Sequence, residues 1–228
     1  RRTACGGSCE MEYWRERVGT EKESVAMKKL HWAIFLVVLI LVIDQITKIL
    51  VKTTMHLDEM IPVIGDRIFI YFVENPGFAF GMSFGGVWGK IALTMFRLVA
   101  SIIIGVYIHK LVKRDAPLGV ILGMSAILAG AAGNIVDSAF YGLIFNESTY
   151  GTVAEMFSES GGYAPFLQGR VVDMIYCPVL RGTFPEWFPI WSGEPFTFFK
   201  PIFNIADCAI TIGVFYLLIF EHKFFKDA

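Results

Sequence analysis

The stretch "PIFNIADCAITIGVFYLLIF" occupies residues 201–220. Its second half is a continuous apolar run, yet its first turn carries Asn204 and Asp207. A helix needs about 20 apolar residues to cross a hydrocarbon core of about 30 Å. A charged side chain at the centre of such a span costs about 2.5–3.5 kcal/mol on insertion scales. A carboxylate at the lip of this run therefore marks a functional position. Three earlier windows have the same apolar character, at about residues 31–51, 87–108 and 118–141, and the last span is expected over 202–220. The expectation is an all-α polytopic membrane protein with four transmembrane helices, a small β-containing outer segment and a long outer loop.

Composition agrees with that expectation. Of 228 residues, 55% are hydrophobic and 18% charged, and the mean hydropathy is +0.57. That is too apolar for an ordinary soluble domain. A net charge of −1 gives no electrostatic footprint for nucleic acid. Cysteines at positions 5, 9, 177 and 208 match neither a zinc motif nor a disulfide framework. Residues 1–26 are polar and lack the apolar core of a signal peptide. Met27, followed by Lys28 and Lys29, reads as the natural start, and 1–26 as a non-native or disordered extension. Residues 27–228 form a single membrane domain.

Basic residues set the orientation. Lys28 and Lys29 precede the first span, Lys110, Lys113 and Arg114 separate the second from the third, and Lys223 and Lys226 follow the fourth. Alternating spans put all of them on one side, the cytoplasmic one, with both termini. Segments 52–86 and 142–201 then face outward. In the first, "RIFIYFVEN" (67–75) follows a Gly-Asp turn signal and reads as a strand. The second is rich in Gly, Pro and aromatic residues, which suits the membrane interface. The third span contains "GMSAILAGAAGN" (123–134), whose small residues allow close helix approach.

This topology gathers polar residues at one depth. Asp44 ends an outward-running span, as do Asn134 and Asp137. Asn204 and Asp207 begin the inward-running one, and Asp173 precedes it. Asp44 and Lys48 are four apart and can pair on one helix face as a structural couple. Asn134 with Asp137, and Asn204 with Asp207, each set an amide three residues from a carboxylate. Two carboxylates in a desolvated site share a proton and supply a general base and a general acid. Asp173 and Asp207 suit that role, since neither has a basic neighbour three or four residues away. Asn134 and Asp137 read as support for the site, Arg97 as a snorkelling or paired cation, and Cys177 and Cys208 as small buried residues. No His-Glu-x-x-His motif is present, and no metal is implied. "GMSFG" (81–85) matches Gly-x-Ser-x-Gly but reads as a turn into the second span. A proton-coupled transporter is the alternative from another class. It calls for polar groups along a path across the bilayer, whereas here they lie on one side. A scaffold without chemistry leaves the aspartates unexplained.

Five stretches in order, "DQITK" (44–48), "ENPGFAFG" (74–81), "GNIVDS" (133–138), "GRVVDMI" (169–175) and "FNIADCAI" (203–210), resemble the lipoprotein (type II) signal peptidases. The pattern is closest to a Bacteroidetes-type branch. The resemblance implies a monomeric aspartic endopeptidase of the bacterial inner membrane with its site near the periplasmic face. It would remove signal peptides from prolipoproteins, cleaving before the diacylglyceryl-cysteine, with membrane lipid as surroundings and no cofactor. Globomycin-type cyclic peptides would occupy the substrate site. By motif match Asp173 and Asp207 are catalytic, and Asp44, Lys48, Asn75, Gly77, Asn134, Asp137 and Asn204 fall on other motif positions. Two departures stand out. Ser138 replaces an arginine that holds substrate backbone, for which Arg170 is the nearest substitute in sequence. The stretch between Asp137 and Asp173 is also long, and "NESTYGTVAEMFSESGGYAPF" (146–166) is expected to form a lid or partner surface.

Overall fold

The computed structural model describes residues 6–76, 86–187, 189, 191–198 and 201–226. Helix α1 runs from Gly6 to Thr54, α2 from Gly86 to Lys113 and α3 from Leu118 to Val136. A π turn, Asp137–Tyr141, and a last helical turn, α4 (Gly142–Ile144), extend α3. Helix α5 covers Ile205–Phe220 and α6 covers His222–Lys226. Strands β1 (Met60–Ile64), β2 (Ile68–Asn75), β3 (Val171–Tyr176) and β6 (Ile202–Phe203) form an antiparallel sheet in that order. Strands β4 (Leu180–Thr183) and β5 (Pro195–Phe198) form a separate hairpin.

Among the described residues three helices are long and apolar enough to cross a membrane: α1 over Arg17–Thr54, α2, and α3 with its extension to Ile144. Their outward faces carry exposed large apolar side chains such as Phe35, Phe96 and Ile103. In water such faces would be a liability; against acyl chains they are solvated. The chain is thus a multi-pass membrane protein. Helix α5 is equally apolar but has 16 residues.

Several expectations need correction. The fold is mostly helical rather than all-α, because the β portion draws on both outer segments. Residues 171–176 are not loop: they form β3 against β2, with Val73 opposite Asp173 and Asn75 opposite Val171. The last helix begins at Ile205 rather than 202, because Ile202 and Phe203 pair with Tyr176 and Ile175. Asn204 then caps the helix. Residues 6–26, read from the sequence as a non-native or disordered extension, continue α1 as helix. A preformed helix extends one hydrogen bond at a time without a new nucleation cost, and Glu, Met, Arg and Lys are good helix formers.

Helix α3 is the centre of the bundle and packs on α5, α1 and α2. Glycines set the spacing. A Cβ on Gly130 would lie 2.2 Å from the carbonyl oxygen of Ala206, and one on Gly213 would lie 2.8 Å from that of Gly123. Small residues thus bring two backbones into contact, which is how helices gain packing energy in lipid. One apolar core, with Val120, Ile121, Ile108 and Leu217, fills the end where Lys29 pairs with Asp115 at 2.6 Å. A second, with Phe72, Tyr141, Phe145 and Val172, joins the other end to the sheet.

The π turn positions β3. It opens the helix so that the carbonyls of Ser138 and Ala139 accept from the amides of Gly169 and Leu167, at 2.9 and 3.3 Å. Gly169 sits so close that a Cβ would lie 2.1 Å from the Asp137 carbonyl oxygen. Segment 146–166 folds back on the end of this helix, with Ala164 N donating to Gly142 O at 3.0 Å and Tyr163 N to Phe145 O at 3.0 Å.

Gly130→Ala is expected to push α5 off α3. Overpacking of this kind costs about 1–3 kcal/mol, and a thermal scan in detergent should show Tm lower by about 5 °C. An unchanged Tm would show that the interface relaxes freely.

Candidate active site

Lys48 is fully buried on α1. Its Nζ lies 2.9 Å from Asp44 Oδ2, 2.8 Å from Asp137 Oδ2 and 2.9 Å from Asn134 Oδ1. Each acceptor carries the tie onward. Asp44 Oδ1 accepts from the Ala206 amide at the start of α5, at 2.9 Å. Asp137 Oδ2 accepts from the Val172 amide of β3, at 3.2 Å, and its Oδ1 accepts from Gln45 Nε2 at 2.9 Å. Asn134 Nδ2 donates to Asp207 Oδ1 at 2.9 Å. A buried ammonium has three protons to satisfy, and here each goes to a different residue: Asp44 and Asn134 carry the tie to α5, and Asp137 carries it to β3.

Asn204 is the second junction, also fully buried. As N-cap of α5 its Oδ1 accepts from the Asp207 amide at 2.9 Å, while its own amide donates to Asp207 Oδ2 at 3.4 Å. This reciprocal capping box satisfies helix-end donors and puts a carboxylate at the positive end of the helix dipole. The desolvation cost of Asp207 is offset there. Asn204 Nδ2 reaches Asp173 Oδ1 at 2.7 Å, Asn134 Oδ1 at 3.2 Å and the Val172 carbonyl at 3.3 Å. One asparagine thus holds both aspartates. Asn75 on β2 donates from Nδ2 to Asp173 Oδ2 at 3.1 Å.

Asp173 is buried on β3, and Asp207 is half-buried on α5. Burial first, then the charge of Asp207, pushes the Asp173 carboxyl up from its ordinary 3.8 to about 7; hydrogen bonds from Asn75 and Asn204 oppose the rise. Burial disfavours the ionised form, and a like charge adds to it. The amides are not used as the spacing predicts. Asn134 serves Asp207 rather than Asp137, and Asn204 reaches across to Asp173. A helix orients neighbours three apart on one face, but which carboxylate each amide meets depends on the facing element.

A second buried ion cluster lies one turn further along α1. Lys52 Nζ donates to Glu74 Oε1 and, at 2.8 Å, to Ser148 Oγ. It also lies 5.0 Å from the ring centre of Tyr163 and 5.3 Å from that of Phe145, within cation–π range. Arg170 bridges Glu74 and Glu147, each at 2.9 Å. Burial by itself would raise Glu74, but Lys52, Arg170 and Ser148 hold its carboxyl below the usual range. Sequence reading missed Lys52, Glu74, Gln45, Tyr163 and Ser148. The available signal was a second lysine four residues after Lys48 on the same face of an apolar helix.

The family follows from this geometry and from comparison. The family model described as Signal peptidase (SPase) II matches residues 36–223. The chain belongs to the signal peptidase II family. It is 48% identical over 185 residues to the lipoprotein signal peptidase of Porphyromonas gingivalis, covering 81% of this chain and 80% of that one. The identity is 36% to the lipoprotein signal peptidase of Amoebophilus asiaticus, over 82% of this chain and 77% of that one. Porphyromonas gingivalis belongs to the Bacteroidetes, in line with the expected branch. Two solved bacterial membrane enzymes are similar in structure. One has a TM-score of 0.55 at 25% identity over 85% of this chain and 88% of its own. The other scores 0.52 at 27% identity over 83% and 91%.

In this signal peptidase II chain the sequence-selected residues Asp44, Lys48, Asn75, Asn134, Asp137, Asp173, Asn204 and Asp207 form one connected cluster. Gly77 and Ser83 of "GMSFG" lie outside the described residues. Arg170, expected beside the aspartates, is instead engaged by Glu74 and Glu147. It precedes Asp173 by an odd number of residues on an extended chain, so the two side chains leave opposite faces. Ser138 turns its hydroxyl back to the Asn134 carbonyl at 2.9 Å.

Replacing Lys48 with Met leaves Asp44 and Asp137 buried together without their cation. Breaking a buried ion cluster on one side costs about 3–5 kcal/mol. Lys48→Met should therefore unfold at distinctly lower temperature in detergent and cleave nothing; a variant with parental Tm would remove Lys48 from the centre of the site.

Proposed function

We propose that this signal peptidase II family member is an aspartic endopeptidase that removes the signal peptide from diacylglyceryl-modified prolipoproteins, with Asp173 and Asp207 as its catalytic pair. The observation that carries the reading is the shared clamp: Asn204 donates to the Asp173 carboxylate from its side chain and to the Asp207 carboxylate from its backbone amide, while burial and Asp207 raise Asp173 to about 7. A carboxyl raised in this way beside a second carboxylate can supply the acid of an acid–base pair at neutral pH. The lipoprotein signal peptidases of Porphyromonas gingivalis and Amoebophilus asiaticus support the substrate class.

The mechanism assigns one role to each carboxyl. Asp173 holds the shared proton, and Asp207 is the base. A water between them loses a proton to Asp207 as its oxygen bonds to the scissile carbonyl carbon. Asp173 gives its proton to the amide nitrogen as the carbon–nitrogen bond breaks. Asn204, Asn134 and Asn75 keep the two groups in register through these transfers. Gly77, on the motif that contains Asn75, contributes to substrate positioning, and no metal or cofactor takes part.

Helix α5 is the fourth span in this reading. Its 16 residues are about 24 Å long, short of the full hydrocarbon core. Its capped end, and the pair with it, therefore sits slightly below the membrane surface, where acyl chains of the substrate can remain in lipid. In this reading both termini are cytoplasmic and the pair lies near the periplasmic face of the inner membrane, which the distribution of basic residues supports. The protein works as a monomer, and globomycin-type cyclic peptides compete for the same site.

Asp173→Asn and Asp207→Asn should each abolish conversion of a diacylglyceryl-modified prolipoprotein, followed by the shift of product on a gel. Full activity in either variant ends the two-aspartate reading. Because Asp173 keeps its proton only below about 7, kcat should fall as pH rises through that value. Asn75→Ala removes a bond that favours ionised Asp173, so the falling limb should move to higher pH, with activity lower by about tenfold. A limb that stays in place would mean that Asn75 acts elsewhere.

A further inference from the structure

Helix α2 carries one arginine that the motifs do not include, Arg97. Thr94 and Ser101 are buried on the face of α2 that packs toward α3, and Arg97 lies between them at helical spacing, on the same face. The depth of Arg97 follows from the antiparallel pairing of the two helices. A Cβ on Gly105 would lie 4.0 Å from Leu128 Cδ2, which fixes those residues at one level. About two turns further toward the sheet, α2 reaches Arg97 and α3 reaches Val136 and Asp137. The start of α2 is tied at the same end, where Lys90 Nζ donates to the Gln168 carbonyl at 2.6 Å.

The helix arrangement opens this region on one flank. Helix α3 packs on α1, α2 and α5, and α1 packs on both α2 and α5. Among the described residues α2 and α5 share no comparable interface. They form two walls over α3, with Asp207 on one and Arg97 on the other. Arg97 interacts electrostatically with Asp207, Asp173 and Asp137.

We infer that Arg97 is a substrate-contacting residue of the active site, whose guanidinium donates from the α2 wall to the carbonyl oxygen of the scissile peptide. The inference rests on the catalytic reading of Asp173 and Asp207. The guanidinium is a planar fork of donors that meets carbonyl and oxyanion geometry from a fixed direction. As water adds to the carbonyl carbon, that oxygen gains the charge of the tetrahedral intermediate. A donor aimed there stabilises the intermediate more than the substrate and so raises kcat. The charge returns to the carbonyl when the carbon–nitrogen bond breaks and the amine leaves with the Asp173 proton. Arg97 itself exchanges no proton.

The test compares Arg97→Gln, Arg97→Lys and Asp207→Asn in full-length protein, using a diacylglyceryl-modified prolipoprotein and recording kcat, KM and the pH profile. Arg97→Gln should lose about 100-fold in kcat. Its pH limbs should shift upward, because a cation that favours the ionised pair is gone. Arg97→Lys keeps the charge but not the fork, so its limbs should stay in place while kcat falls about tenfold. A kcat for Arg97→Gln within twofold of the parent overturns the inference. So does an equal loss in both variants with unmoved limbs, since packing alone would explain it. Should Arg97→Gln fail to fold, a parental kcat in Arg97→Lys overturns the contact. An active Asp207→Asn would topple the aspartate reading itself, whereas an inactive one beside an unaffected Arg97→Gln topples only the arginine.

Discussion

The structure depends on one buried ammonium group. Lys48 sits in the apolar interior with every proton satisfied, and its acceptors are anchored in turn to α5 and β3. Through Asp44 it fixes the start of α5, through Asp137 it fixes β3, and through Asn134 it reaches Asp207. An unpaired charge at that depth would be prohibitive. The helices must therefore meet there in one register, since any slip leaves a charge without a partner. Low dielectric makes the cluster strong when complete and costly when broken. That stringency also places two further carboxylates, Asp173 and Asp207, side by side where neither would settle without such a frame.

The remaining architecture serves the same end. Lys52, one helical turn beyond Lys48, repeats the device for Glu74, Ser148 and the aromatic rings around it. Glu74 adjoins Asn75, so the second cluster holds the strand that presents the donor to Asp173. Glycines at 130, 133 and 213 let α3 approach its neighbours closely; a Cβ on Gly133 would collide with Asp44 Oδ2 at 2.6 Å. The π turn exposes two carbonyls for the segment that leads into β3. Each device is local, yet all act on the few ångströms around Asn204.

The site residues were largely legible because membrane burial makes polar residues conspicuous. Asp44, Lys48, Asn134, Asp137, Asn204 and Asp207 stand out against apolar surroundings, and the alternation of spans brings them to one depth. The pairings were not legible. Helical spacing puts Asn134 on the face of Asp137, yet its amide proton goes to Asp207. Arg170 is only three residues before Asp173 in sequence, but its side chain pairs with Glu74 and Glu147. Glu74 and Lys52 look unremarked in separate segments until the sheet folds onto α1. The extent of the sheet was likewise hidden, because "VVDMIY" and "IF" are short apolar runs that become strands only when β2 offers partners.

The sequence by itself determined a multi-pass membrane chain, its apolar helices, and the small set of polar residues that pay for their burial with a role. Those properties follow from transfer free energy, which is additive along the chain. Tertiary structure decided which of those residues touch, which aspartate is raised, and where the last helix begins. Such outcomes depend on distances between groups remote in sequence, where electrostatic energies change steeply over a few ångströms. Asp207 shows the division. Its cost is visible in "FNIADCAI", but its compensation, a cap from Asn204 and a proton from Asn134, exists only once α3 and α5 have packed.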